Sequence, residues 1–80
     1  MMRLLFFGIA KDIVGQREIS DYTIGSDATV SDLLENLKNQ YPRLSELSSI
    51  AIGVNQEYAS ESHKLNVNDE VALIPPVSGG

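Results

Sequence analysis

The segment Pro75-Pro76-Val77-Ser78-Gly79-Gly80 holds the residues that packing alone explains least well. It follows the apolar run Val71-Ala72-Leu73-Ile74, which reads as a buried strand. Pro75 has no N–H to give the next ladder bond, so strand pairing is expected to stop there and the chain to leave the sheet. Two prolines fix φ and favour extended geometry, which makes a semi-rigid arm up to Ser78. Gly79 and Gly80 lack Cβ atoms, so they fit a channel too narrow for other residues and accept the φ values its wall imposes. The functional group offered there is the α-carboxylate of Gly80. The opposing reading is a frayed and inert end, because terminal residues are commonly poorly ordered. A stiff spacer directly after a core strand favours a presented, reactive terminus. The expected organisation is one folded domain over residues 1–74 and a projecting tail over residues 75–80.

Rival chemistry is thin elsewhere in the chain. Asn66, Asn68 and Glu70 have the spacing of the first ligands of a calcium loop, but the required glycine and distal glutamate are missing, and a turn is the better reading. His63 has no nearby His or Cys and sits among polar residues, as a surface histidine would. There is no glycine-rich phosphate loop, no nucleophile elbow and no helical metal motif. The acids are scattered and none is paired for acid–base work.

Composition narrows the function classes further. A chain of 80 residues makes one domain. At that size only about 60 to 65% of the unfolded surface is buried, leaving little room for an enclosed active site. A self-contained enzyme is disfavoured. Cysteine is absent, which excludes disulfides, thiolate nucleophiles and thiolate metal sites, and the cytoplasm is the expected compartment. The formal charge of −5 opposes binding to a phosphate backbone. Partners with basic surfaces fit better. The apolar start, Met1 to Ala10, is too short for a membrane span, lacks a cleavage pattern, and is better read as a strand.

The elements that must position the tail follow in order. Arg3 to Ile9 reads as a first strand, apolar on both parities: Leu4 and Phe6 on one, Leu5, Phe7 and Ile9 on the other. With so few layers available, one face should pack the core and the other is either bare, and so a docking surface, or covered by a loop. Lys11 to Val14 is expected to form one helical turn closed by Gly15. A second strand runs from Arg17 to Ile24, where Ile19, Tyr22 and Ile24 break alternation and predict a bulge. Gly25-Ser26-Asp27 is a turn.

Thr29 and Asp32 predict a reciprocal helix cap, and Val30, Leu33, Leu34, Leu37 and Tyr41 form a core stripe on a helix that Pro42 stops. Leu44 and Leu47 anchor a connection over residues 42–49. A half-buried strand from Ile50 to Asn55 turns at Asn55-Gln56-Glu57 into a short strand near Tyr58-Ala59. After a polar loop, Leu65 and Val67 are expected to anchor a turn at Asn68-Asp69, with Asn68 able to take the left-handed conformation, before a last strand from Glu70 to Ile74. The order β, β, α, β, β, β predicts an α+β domain: a mixed sheet with one main helix across one face.

Leu5-Phe6-Phe7, Val54-Asn55-Gln56, Asp69-Glu70-Val71-Ala72 and the ending Pro75-Pro76-Val77 with Gly79-Gly80 resemble the small, sulfur-carrying subunits of molybdopterin synthase. The similarity covers the whole chain, and the Pro-Pro-Val-x-Gly-Gly ending is its most specific part. Lys64, where that family commonly has proline, and Asn68, where it commonly has glycine, depart from the pattern and bear on loop geometry. The resemblance implies a ubiquitin-like β-grasp fold. It also implies that this is not an enzyme on its own but the sulfur-donating subunit of a sulfurtransferase complex. Gly80 would be adenylated and converted to a thiocarboxylate, with Gly79 allowing entry of the tail. The implied partners are the large catalytic subunit of molybdopterin synthase and an ATP-dependent, ubiquitin-activating-type adenylyltransferase, with no nucleic acid and no membrane. No cofactor would be bound directly; ATP would be used by the activating enzyme. Phe7, Tyr58 and Ile74 match apolar contact positions of the family, and with Pro75, Pro76 and Val77 they form the implied partner-binding set. A thiamine-pathway sulfur carrier and a ubiquitin-like protein modifier are the alternatives that share this tail chemistry.

Overall fold

The computed structural model describes residues 1–47 and 49–75. Five strands form one mixed sheet: β1 (Met2–Phe6), β2 (Glu18–Tyr22), β3 (Ala51–Val54), β4 (Glu57–Tyr58) and β5 (Glu70–Ile74), in the spatial order β2-β1-β5-β3-β4. The first and last strands pair in parallel at the centre, and every other pairing is antiparallel. Strand alternation does the sorting. Met2, Leu4 and Phe6 of β1, Val71 and Leu73 of β5, and Ile52 and Val54 of β3 are buried. They meet the apolar stripe Val30, Leu33, Leu34 and Leu37 of α2 (Val30–Gln40), with Ala10, Val14, Leu44 and Leu65 closing the ends of the core. Each such side chain contributes about 1.5 to 3 kcal/mol by leaving water.

The main helix begins as its sequence demands. Thr29 Oγ1 accepts from the Asp32 N–H at 3.2 Å while Asp32 Oδ2 accepts from the Thr29 N–H at 2.9 Å, the reciprocal capping box. Two further free donors of the first turn are met by the loop before β5: Val30 N–H donates to the His63 carbonyl and Ser31 N–H to the Glu61 carbonyl, both at 2.9 Å. The side chains of His63 and Lys64 stay exposed. Past Tyr41, Pro42 opens a short 3-10 helix, Pro42–Glu46, which tucks Leu44 into the core inside the expected connection.

Several boundaries differ from the sequence expectation. The first strand ends at Phe6, and the helix α1 (Gly8–Val14) starts three residues earlier than Lys11, so Ile9 is helical and not part of the strand. Gly8 at φ +54° lets the chain turn out of the strand immediately. The helix is closed as expected by Gly15 at φ +84°, whose N–H donates to the Lys11 carbonyl at 2.8 Å. The expected bulge is present: Met2 opposes Tyr22 but Leu4 opposes Ile19, so β2 spends one extra residue there. Val67 is 59% exposed and anchors nothing, whereas Leu65 is buried. Asn68 is not left-handed. Among the described residues the non-glycine positions with positive φ are Asp27, Asn55 and Gln56.

Asn55 and Gln56, at φ +52° and +72°, form the tight turn between β3 and β4. The Asn55 side chain does a second job. Its Nδ2 donates to Asp69 Oδ1 at 2.9 Å and its Oδ1 accepts from the Glu70 N–H at 3.0 Å, while Asp69 Oδ2 accepts from the Asn66 N–H at 2.8 Å. Asp69 is thus a buried acid whose oxygens both find donors, and the turn before β5 is fastened to the β3 hairpin. Replacing Asn55 by Ala leaves one of those oxygens without its donor and forces a left-handed alanine. We expect Asn55→Ala to lose about 2 to 4 kcal/mol of stability in urea unfolding, a loss built from an unmet buried polar group and the left-handed cost. Asn55→Gly removes only the first penalty's partner and should lose less.

Candidate functional site

The helices cover one face of the sheet, and the opposite face is where the sequence places its docking residues. The pairings build that face row by row. Leu5 opposes Ala72, Ala72 opposes Gly53 and Gly53 opposes Tyr58, so four strands contribute a continuous low strip. Beside it, Ile74 opposes Ala51, and Phe7, extended at φ −120°, donates its N–H to the Leu73 carbonyl and continues the parity of Leu5. Phe7 is 49% exposed and Tyr58 79% exposed, and Ile74 is half-buried. Tyr58, Ile74 and Ala72 line one shallow depression with Gly53 as its floor. Large exposed apolar side chains on a nearly flat strip of small ones form the kind of surface that monomers rarely leave uncovered.

The strip is polar at one end. Arg3 Nε meets Glu18 Oε2 at 3.0 Å, and its guanidinium meets Glu70 Oε2 at 3.2 Å, joining three strands on the same side as Leu5. Arg3 and Glu18 are open to water and Glu70 is half-buried, so the pairs orient the rim more than they stabilise the fold.

The apolar end is where the chain leaves. Pro75 follows Ile74 with no further strand pairing, as the missing N–H dictates. Its ring lies over the start of α1: a Cβ built on Gly8 would stand 3.2 Å from Pro75 Cγ. The exit therefore lies against Gly8, which follows Phe7 in the chain. Pro76, Val77, Gly79 and Gly80 lie outside the described residues. Ile9 is also a large apolar residue left open, 46% exposed on the first turn of α1. The sequence reading grouped it with Leu5 and Phe7 on one parity of a strand, whereas it is helical. The signal was Ala10, Ile13 and Val14 at i, i+3 and i+4, a helical spacing that starts before Lys11.

The profile of the ThiS family matches residues 4–80. The chain belongs to the ThiS family. Among its relatives, the molybdopterin synthase sulfur carrier subunit of Dictyostelium discoideum is 38% identical over 81 residues, spanning 98% of this chain and 94% of that protein. The subunit of the same name from Chlamydomonas reinhardtii is 34% identical over 82 residues, spanning 99% and 98%. Of solved structures, the crystal structure of SAMP1 from Haloferax volcanii superposes with a TM-score of 0.83 at 32% identity, covering 99% of this chain and 98% of that one. The architecture is the ubiquitin-like β-grasp of these ThiS-family proteins. Among the described residues there is no cluster of His, Cys, Asp or Glu able to hold a metal, and no helix long and apolar enough to cross a membrane.

The parity assignment makes a sharp contrast between neighbours. Phe6→Ala empties a core position and should cost about 3 to 5 kcal/mol, whereas Phe7→Ala and Tyr58→Ala should each cost less than about 1 kcal/mol in equilibrium unfolding. A Phe7→Ala loss as large as that of Phe6→Ala would put Phe7 in the core and remove it from the exposed face.

Proposed function

We propose that this protein is the sulfur carrier subunit of molybdopterin synthase, carrying sulfur on the carboxy end of Gly80. The observation that supports this most is the position of Pro75, where the last strand ends at the margin of an exposed apolar face, ahead of a Gly-Gly ending that the family match includes. A tail that starts at a docking surface is delivered into whatever pocket the docked partner holds beside it.

The chemistry follows from the carboxylate. With a pKa near about 3.5 it is ionised at neutral pH and is a poor electrophile. An activating enzyme supplies ATP: a carboxylate oxygen attacks the α-phosphorus, pyrophosphate leaves, and an acyl adenylate results. A sulfur nucleophile then attacks the acyl carbon and AMP leaves: hydrosulfide gives the thiocarboxylate directly, whereas a donor persulfide gives an acyl disulfide, which a second thiol cleaves to the thiocarboxylate and a disulfide. In the large subunit's active site the thiocarboxylate sulfur bonds to a carbon of a cyclic pyranopterin phosphate and displaces an oxygen substituent; water then attacks the Gly80 acyl carbon, the acyl C–S bond breaks with sulfur left on the pterin, and Gly80 returns as the carboxylate. Two such transfers build a dithiolene. Gly79 and Gly80 give a tail slim enough for both active sites, and Phe7, Tyr58 and Ile74 dock against the large subunit, with Pro75, Pro76 and Val77 guiding entry. Aromatic anchors on a rigid sheet suit such a hot spot. The catalytic side chains belong to the partners, and the compartment is the cytoplasm, where ATP is available.

A second reading is a ubiquitin-like protein modifier, which forms an isopeptide bond from the same acyl adenylate to a lysine. The likeness to the small archaeal modifier SAMP1 favours it specifically. A thiamine-pathway carrier shares the tail but not the names of the relatives. Intact mass spectrometry of the chain from a host making molybdenum cofactor separates the readings. A gain of about 16 Da marks the exchange of oxygen for sulfur, whereas conjugates joined through lysine mark a modifier. Deleting Gly80 should abolish sulfur transfer while leaving binding to the large subunit within about twofold, and Phe7→Ala should weaken that binding by roughly tenfold or more. Cofactor synthesis at the normal rate by the Gly80 deletion would refute the carrier role.

A further inference from the structure

Among the described residues β2 pairs with β1 on one side only, so its other edge is open. Phe6 donates its N–H to the Arg17 carbonyl at 2.9 Å and Leu4 lies opposite Ile19. Alternation along the strand then turns the main-chain N–H and C=O of Glu18 away from β1 and toward solvent. Beside this edge runs a groove of about 550 Å³ between β2 and the C-terminal end of α2. Its apolar part is Ile19, Tyr22 and Tyr41, all half-buried; of its two acids, Glu18 is paired with Arg3 and Asp21 is exposed with no ion pair among the described residues. No Lys or Arg among the described residues lines it. Burial first, and then the neighbouring Tyr41, raise the Tyr22 hydroxyl above its ordinary range, consistent with two rings close together in a partly dry place.

We propose that the open edge of β2 is a second docking site, taking an extended peptide segment that carries Lys or Arg at alternate positions. The segment adds to the sheet as a further strand, exchanging main-chain hydrogen bonds with Glu18 and its neighbours. Period-2 alternation sends every second side chain into the groove, where a cation meets Asp21 and the faces of Tyr22 and Tyr41. Charge selects the occupant. Glu18 is already held by Arg3, so Asp21 is the acid left at the edge, and with a chain charge of −5 a second copy or an acidic segment is repelled from it. The edge lies beyond β1 from β5, β3 and β4, so Tyr58 and Ile74 stay free when it is filled. The site is independent of sulfur chemistry and stands or falls apart from the carrier role.

The test is a titration of the 15N-labelled full chain, at low salt, with a peptide alternating Lys and Val and with its Glu-for-Lys counterpart. Saturable amide shifts centred on residues 16–23, 40 and 41 are expected for the basic peptide, with a dissociation constant of roughly 0.1 to 1 mM. Slowed exchange of the Glu18 amide should accompany them. Asp21→Lys, at an exposed position, should weaken binding about fivefold. Glu18→Pro removes the outward N–H at a place where an edge strand tolerates proline, and should weaken it as much or more; if that variant fails to fold, Asp21→Lys decides. Equal binding of the acidic peptide, shifts centred instead on Phe7, Tyr58 and Ile74, self-association in place of peptide binding, or no saturable shift by about 5 mM would each overturn the proposal.

Discussion

The pairing of β1 with β5 is the constraint on which the rest depends. Parallel strands need cover, and here the cover reaches one side only. Leu4 and Phe6 on one strand and Val71 and Leu73 on the other go under the helices with almost no exposure, and among the described residues no second layer lies over their half-buried alternate neighbours Leu5, Ala72 and Ile74. A chain of 80 residues has material for one helical layer, so covering one face of a five-stranded sheet means leaving the other bare. The apolar outer strip is in this sense a by-product of size that a partner can use.

The same economy accounts for how polar groups are handled. The first turn of α2 is satisfied partly by its own capping box and partly by carbonyls of the loop around His63, so the loop has a structural reason to lie where it does. Asn55 satisfies both its own turn and the buried Asp69, which joins the β3 hairpin to the start of β5. The Asn55 side chain and the carbonyls of Glu61 and His63 each join two parts of the chain. A domain with so thin a core leans on such shared contacts, and the sheet face they hold flat is the one that carries Tyr58 and Ile74.

Local chemistry was legible in the sequence, and pairing at a distance was not. Thr29 and Asp32 announce a helix start because both partners lie within one turn, and Gly15 and Pro42 mark ends for reasons contained in their own backbones. Ile19 and Tyr22 betrayed the bulge because a break in alternation is visible along a single strand. The start of α1 was hidden, since Phe7, Ile9 and Ala10 are apolar under either period and the deciding feature is the left-handed turn at Gly8. Val67 looked like an anchor because its type suits burial, yet the turn around it is held by Asp69 instead. The link from Asn55 to Asp69 spans 14 positions, beyond what a reading of neighbours detects. The exposed strip is of this kind too: its residues lie on four strands, and only the register shows that Leu5, Ala72, Gly53 and Tyr58 stand in one line.

The place of β5 has a further consequence for how the molecule is made. A strand emerging late from the ribosome becomes the middle of the sheet, flanked by β1 and β3. Until it arrives, β1 has β2 on one side and no partner on the other, and the β3 hairpin has nothing to lie against, so the nascent chain has no stable half-way form to rest in. An incomplete translation product would present unsatisfied strands to the proteases of the cell. Any molecule that survives synthesis in folded form therefore already extends to Ile74.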